Sequence, residues 1–69
     1  MPRNDLYLFR HSMRLSQQQM GAKIGCHYRT YAEIENGKRD GSVRFWNNLQ
    51  RAFGLSDAKK GELMRNEQA

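Results

Sequence analysis

One cysteine, one proline and no long apolar run set the first limits on this chain of 69 residues. Cys26 alone cannot form an intramolecular disulfide, which excludes a stapled, secreted mini-protein and favours a reducing, cytoplasmic setting. Nowhere does the sequence approach the roughly 20 consecutive apolar residues that a bilayer span requires, and its start lacks the apolar core of a signal peptide. No membrane partner is expected. Paired carboxylates, a nucleophile beside a base and a phosphate-cradling loop are also missing, so the chain does not read as an enzyme, and no cofactor or small-molecule ligand is implied. Cys26 and His27 are adjacent, and with His11 they lack a second ligand pair at zinc spacing, so no metal site is expected.

What is present points to one small helical domain over residues 1–69. The hydrophobic fraction of 38%, the scarcity of β-branched residues and six glycines beside Pro2 favour an all-α, compact bundle of about five short helices, with a thin core. Twelve Lys and Arg against seven Asp and Glu give a formal charge of +5, a bias toward a polyanionic partner. No internal repeat, linker or low-complexity segment interrupts the chain.

Met1 to Asn4 reads as a short frayed lead-in, with Asn4 placed to cap a first helix over about Asp5 to Met13. Leu6, Phe9 and Met13 recur at three and four residues and define its buried stripe. Ser16 followed by Gln19 has the capping-box pattern, so a second helix begins at Gln17 and runs to about residue 24. Gly25 can take a left-handed conformation that ends it, and Gly21 lets the third helix cross close over the second. The third helix starts at His27 or Tyr28 and ends at Glu35 or Asn36, before Gly37. Ser42 is placed to cap a fourth helix whose apolar positions Val43, Phe45, Trp46, Leu49, Ala52 and Phe53 supply the largest share of core area. Gly54 stops that helix. Ser56-Asp57 opens a fifth, with a weak apolar face at Leu63 and Met64. Asn66 to Ala69 reads as a frayed tail.

The second and third helices form the centre of this plan. Met20 with Ile24, and Tyr31 with Ile34, place one apolar face on each, while Tyr28, Arg29, Ala32, Glu33 and Asn36 leave the third helix polar on its outer side. A short helix held at a steep angle by its partner, polar side outward, is the shape that enters a DNA major groove.

Residues Leu6 to Leu55 resemble the lambda-repressor-like DNA-binding domains, also called the Cro/repressor or xenobiotic-response-element family. The marks are Arg10, Leu15-Ser16-Gln17, Gly25, the run Ile34-Glu35-Asn36-Gly37-Lys38-Arg39, and Trp46 through Leu55. The sequence departs from the family where Tyr31 replaces a β-branched aliphatic, Gly21 an alanine and Asp40-Gly41 a proline. Tyr31 is then expected to lay its ring on the core with its hydroxyl at the edge, and the Asp40-Gly41 loop to be mobile before it meets DNA.

The resemblance implies a helix-turn-helix at helices two and three, a double-stranded DNA partner, and a small prokaryotic or phage transcriptional regulator of repressor type. Tyr28, Arg29, Ala32 and Glu33 stand where base edges are read. Arg29 can offer paired donors to guanine, and Tyr28 can pack on a thymine methyl. Glu33 can accept from cytosine or form an intrahelical ion pair one turn from Arg29. Gln17, Asn36, Lys38, Arg39, Ser42 and Arg44 are the expected grip on the phosphate backbone, with Gln17 also bracing the first reading residue. Arg10 and Glu35 resemble the family's internal ion pair. Leu55, Leu63 and Met64 are the expected contact of a homodimer formed at least on DNA. The alternative is a protein-interaction module, antitoxin-like or a phage accessory protein, for which DNA is secondary.

Overall fold

The computed structural model describes residues 3–65; the expected tail at Asn66 to Ala69 lies outside them. Five helices follow one another: α1 (Asn4–Ser12), α2 (Gln17–Ile24), α3 (Tyr28–Glu35), α4 (Val43–Phe53) and α5 (Asp57–Met64). No strand occurs among the described residues. The fold is an all-α bundle built on α2 and α3, with α4 packed against α2, and α1 joined to α3 and α5.

Local chemistry sets most of the boundaries. The Ser16 hydroxyl accepts from the Gln19 N–H at 3.1 Å and the Gln19 amide oxygen accepts from the Ser16 N–H at 2.8 Å, so two donors at the start of α2 are satisfied reciprocally. Gly25 ends α2 at φ 88°, a left-handed conformation costly for a side chain. Ser42 and Ser56 cap α4 and α5 through the N–H groups of Phe45 and Lys59. At α1 the expectation fails. Asn4 lies inside the helix, and Arg3 occupies the capping position without a side-chain cap. Arg3 is buried instead of frayed, because its guanidinium finds main-chain acceptors across the bundle.

Leu6, Met20, Ile24, Tyr31, Ile34, Phe45, Trp46, Leu49 and Leu63 form the core. Val43 and Ala52, expected inside, are exposed; Val43 follows the Ser42 cap directly, on the first turn of α4, and is 77% accessible. Leu63, assigned to a dimer contact, is completely buried within its own chain. It and Met64 are successive helical residues, about 100° apart around the axis, so one faces the core while the other meets solvent. Leu55 is half-buried against the core, which leaves Met64 as the exposed member of the three.

Gly21 explains how closely the two central helices approach. A Cβ built there would stand 2.8 Å from the Cys26 carbonyl oxygen and 3.1 Å from the Tyr28 Cα, both main-chain atoms. The glycine therefore admits the turn and the start of α3 to contact with α2.

Candidate nucleic-acid interface

The outer face of α3 is built from its first turn. His27 precedes the helix in an extended conformation, and its Nδ1 accepts from the Arg29 N–H at 3.1 Å. The imidazole thereby replaces the usual Ser, Thr, Asp or Asn cap, which is why its role was not readable from residue type. Its ring lies over that of Tyr28, centroids 5.0 Å apart. Tyr28 and Arg29 are exposed, while Ala32 and Glu33, one turn on, are half-buried.

Behind this face sits a polar network. Arg10 donates to Glu35 through Nε at 2.8 Å and Nη2 at 3.1 Å, and through Nη1 to the Leu15 carbonyl at 2.8 Å. The Tyr31 hydroxyl donates to the same carboxylate at 2.8 Å and the Gln17 amide at 3.0 Å. Tyr31 thus keeps its hydroxyl inside, not at the edge, because Glu35 is there to receive it. Gln17 braces Glu35 at the far end of α3, not the first reading residue. Burial works to raise the Glu35 carboxyl, but donation from Arg10, Tyr31 and Gln17 outweighs it and holds the group below its ordinary value. Glu35 in turn raises Arg10, while burial pushes the Tyr31 phenol up. A buried charge satisfied this fully fixes the back of α3 to α1 and α2.

The loop after α3 and the start of α4 carry the residues expected to grip a phosphate backbone. Asn36, Lys38, Arg39, Ser42 and Arg44 are all exposed. Asn36 closes α3 as its C-cap, and Ser42 uses its hydroxyl oxygen as the α4 cap. Arg39 pairs with Glu33 at 2.9 Å, so Glu33 engages the loop and not the intrahelical partner expected at Arg29. Those two side chains are 57% and 36% exposed, a geometry whose contribution to stability is at most about 1 kcal/mol.

The loop is also tied from within, contrary to the looseness expected of Asp40-Gly41. The Trp46 indole N–H donates to the Asp40 carbonyl at 3.2 Å, and the Arg3 guanidinium reaches the Arg39 and Asp40 carbonyls. Burial lowers the Arg3 pKa, with Asp40 opposing, although guanidinium stays charged throughout the physiological range. Sequence reasoning missed Arg3 because its acceptors are main-chain oxygens, which leave no residue pattern to read.

Among the described residues no group of three or more His, Cys, Asp or Glu is placed to hold a metal ion, and no helix is long and apolar enough to cross a membrane. Cys26 is half-buried beside the turn, where burial pushes its thiol up and away from the reactive thiolate.

No curated protein and no solved structure matches the chain. The profile of the helix-turn-helix domain family matches residues 6–63, from the first core leucine of α1 to the last of α5. With α2, the Gly25 turn and α3 in the corresponding arrangement, and in agreement with the lambda-repressor-like resemblance, the chain belongs to the helix-turn-helix domain family.

Proposed function

We propose that this protein binds double-stranded DNA sequence-specifically and acts as a small transcriptional regulator of repressor type. The observation that carries the reading is the exposed first turn of α3, with Tyr28 and Arg29 outward on a helix whose opposite face is locked by the buried Glu35 network. A rigid helix with an outward guanidinium suits entry into a major groove, where Arg29 donates in pairs to guanine and Tyr28 packs on a thymine methyl. Ala32 allows close approach. Asn36, Lys38, Arg39, Ser42 and Arg44 lie where phosphates on one side of the groove are held, and Gln17 stands at the start of α2 on the other.

The Glu33–Arg39 pair gives the complex a means of discrimination. A phosphate competes with Glu33 for Arg39 and, once Arg39 turns to the backbone, the freed carboxylate accepts from a cytosine amino group. A site without that donor leaves the carboxylate unmatched beside phosphates, which penalises wrong sequences more than it raises affinity for the right one.

A domain this small covers one half-site, so useful specificity calls for two copies on a near-palindrome with centres about one helical turn apart. Selecting duplexes from a random pool tests the reading. Winners sharing a short motif repeated in inverted orientation support a DNA-bound homodimer, whereas recovery of no common motif refutes sequence-specific binding.

A further inference from the structure

Arg3 has a side chain only 5% exposed. A guanidinium at that depth requires acceptors for its N–H groups. It finds them in three separate segments. Nη1 donates to the Ile34 carbonyl at 2.6 Å and the Arg39 carbonyl at 3.1 Å, Nη2 to the Asp40 carbonyl at 3.2 Å, and Nε to the Met64 carbonyl at 3.1 Å. The guanidinium carbon lies 5.4 Å from the centroid of the Trp46 ring, and the Arg3 backbone N–H donates to the Glu35 carbonyl at 2.8 Å. The Asp40 carboxylate contributes little, being 4.0 Å away and fully solvated.

Three of these four acceptors belong to one stretch of chain. Ile34 lies in the last turn of α3, and Arg39 and Asp40 belong to the loop that follows it. The loop turns at Gly37 and Gly41, both at positive φ, 81° and 85°. Its first residues are tied back to α3, the Gly37 N–H donating to the Ile34 carbonyl that Arg3 also holds and the Lys38 N–H to that of Glu33. The Arg39 and Asp40 carbonyls are held from inside by Arg3 and the Trp46 indole, while the Lys38 and Arg39 side chains are exposed. A loop already ordered before binding loses less conformational entropy when its cations meet phosphates.

The geometry points to Arg3 as a positioning residue that sets the main chain of the phosphate-gripping loop, so that DNA affinity depends on a buried arginine that touches no DNA. This inference rests on the DNA-binding reading above. A lysine, with one compact ammonium, cannot span carbonyls on three segments as the guanidinium fork does.

The test uses Arg3→Met, Arg3→Lys and Trp46→Phe, the last keeping a ring but removing the N–H that shares the Asp40 carbonyl. Two quantities are read at a temperature where circular dichroism shows each variant folded. One is hydrogen exchange of the Gly37 and Lys38 amides without DNA; both are hydrogen-bonded in the wild-type loop. The other is affinity, across a salt series, for a duplex selected by the wild-type protein. Arg3→Met is expected to speed exchange at those two amides and to weaken binding roughly tenfold, the cost of ordering one or two side chains on association. Its salt slope and preferred sequence stay the same, because the same cations still meet phosphates once bound, and the affinity of Arg3→Lys falls between those of Arg3→Met and wild type. Should Arg3→Met fail to fold, Arg3→Lys and Trp46→Phe carry the same comparison. Unchanged exchange, or faster exchange with unaltered affinity, overturns the positioning role. If the wild-type protein itself selects no duplex, the DNA-binding reading fails and takes this role with it.

Discussion

Glu35 carries much of what individual residues contribute. Its folded pKa lies below the ordinary value of 4.5, so as pH falls the unfolded chain takes up the proton first. The stabilisation is therefore complete above that ordinary value and is lost as pH drops through the lower, folded one. Glu35→Gln leaves Arg10 buried without its counter-charge, a loss of up to about 3–5 kcal/mol in the better-buried cases. Urea unfolding should show a lower midpoint for the variant at pH 7 and a gap to wild type that narrows in acid; a gap independent of pH would refute the linkage. Glu33, by contrast, sits in an exposed pair, so Glu33→Gln should leave stability nearly unchanged. It should tighten binding to scrambled DNA and cut the preference for the selected site by about tenfold, near the lower end of a base contact's roughly 1–3 kcal/mol. Equal ratios in the two proteins would remove Glu33 from the reading face. The Arg10 and Glu35 positions were legible because the family resemblance pairs them. The Tyr31 hydroxyl and the Gln17 amide were not, since a shared acceptor exists only once α1, α2 and α3 have converged.

At the scale of elements, the contact between α2 and α3 depends on a missing side chain. Gly21→Ala would gain about 0.8–1.0 kcal/mol in helix propensity, but the added methyl meets main-chain atoms of the turn and of Tyr28 that cannot rotate aside. Overpacking of this kind costs about 1–3 kcal/mol, so the expected outcome is a net loss near 1 kcal/mol in thermal or urea unfolding. A stabilised variant would show that α3 has room to move. Helix starts at Ser16, Ser42 and Ser56, and stops at Gly25 and Gly54, were readable because each is local chemistry between near neighbours in sequence. The start of α1 was misread for the opposite reason. Arg3 is held by residues more than thirty positions away, and a capping preference at Asn4 has no weight against that many tertiary hydrogen bonds. Val43 and Leu63 show two further limits. Val43 is apolar but lies off the stripe that Phe45, Trp46, Leu49 and Phe53 define on α4, so identity without angular position misplaced it, whereas α5 has too weak a periodicity to tell which of Leu63 and Met64 faces inward.

For the whole molecule, a net charge of +5 over 69 residues makes binding to a polyanion strongly dependent on salt. With about four to six phosphate contacts, the logarithm of the binding constant should fall against that of salt concentration with a slope near −4 to −5. Lys38→Ala should make that slope shallower by about 1 and weaken all sequences alike. A flat salt dependence would favour the protein-interaction alternative, for which Val43 and Met64, exposed around one depression on the α4–α5 side, offer the apolar surface. The most direct measurement compares duplexes selected from a random pool by wild type and by Arg29→Ala. The variant should retain the same spacing and symmetry, lose its preference at a single base pair in each half-site, and bind about 1–3 kcal/mol more weakly. An Arg29→Ala protein that selects the same sequence with the same affinity would contradict the placement of α3 as the reading helix.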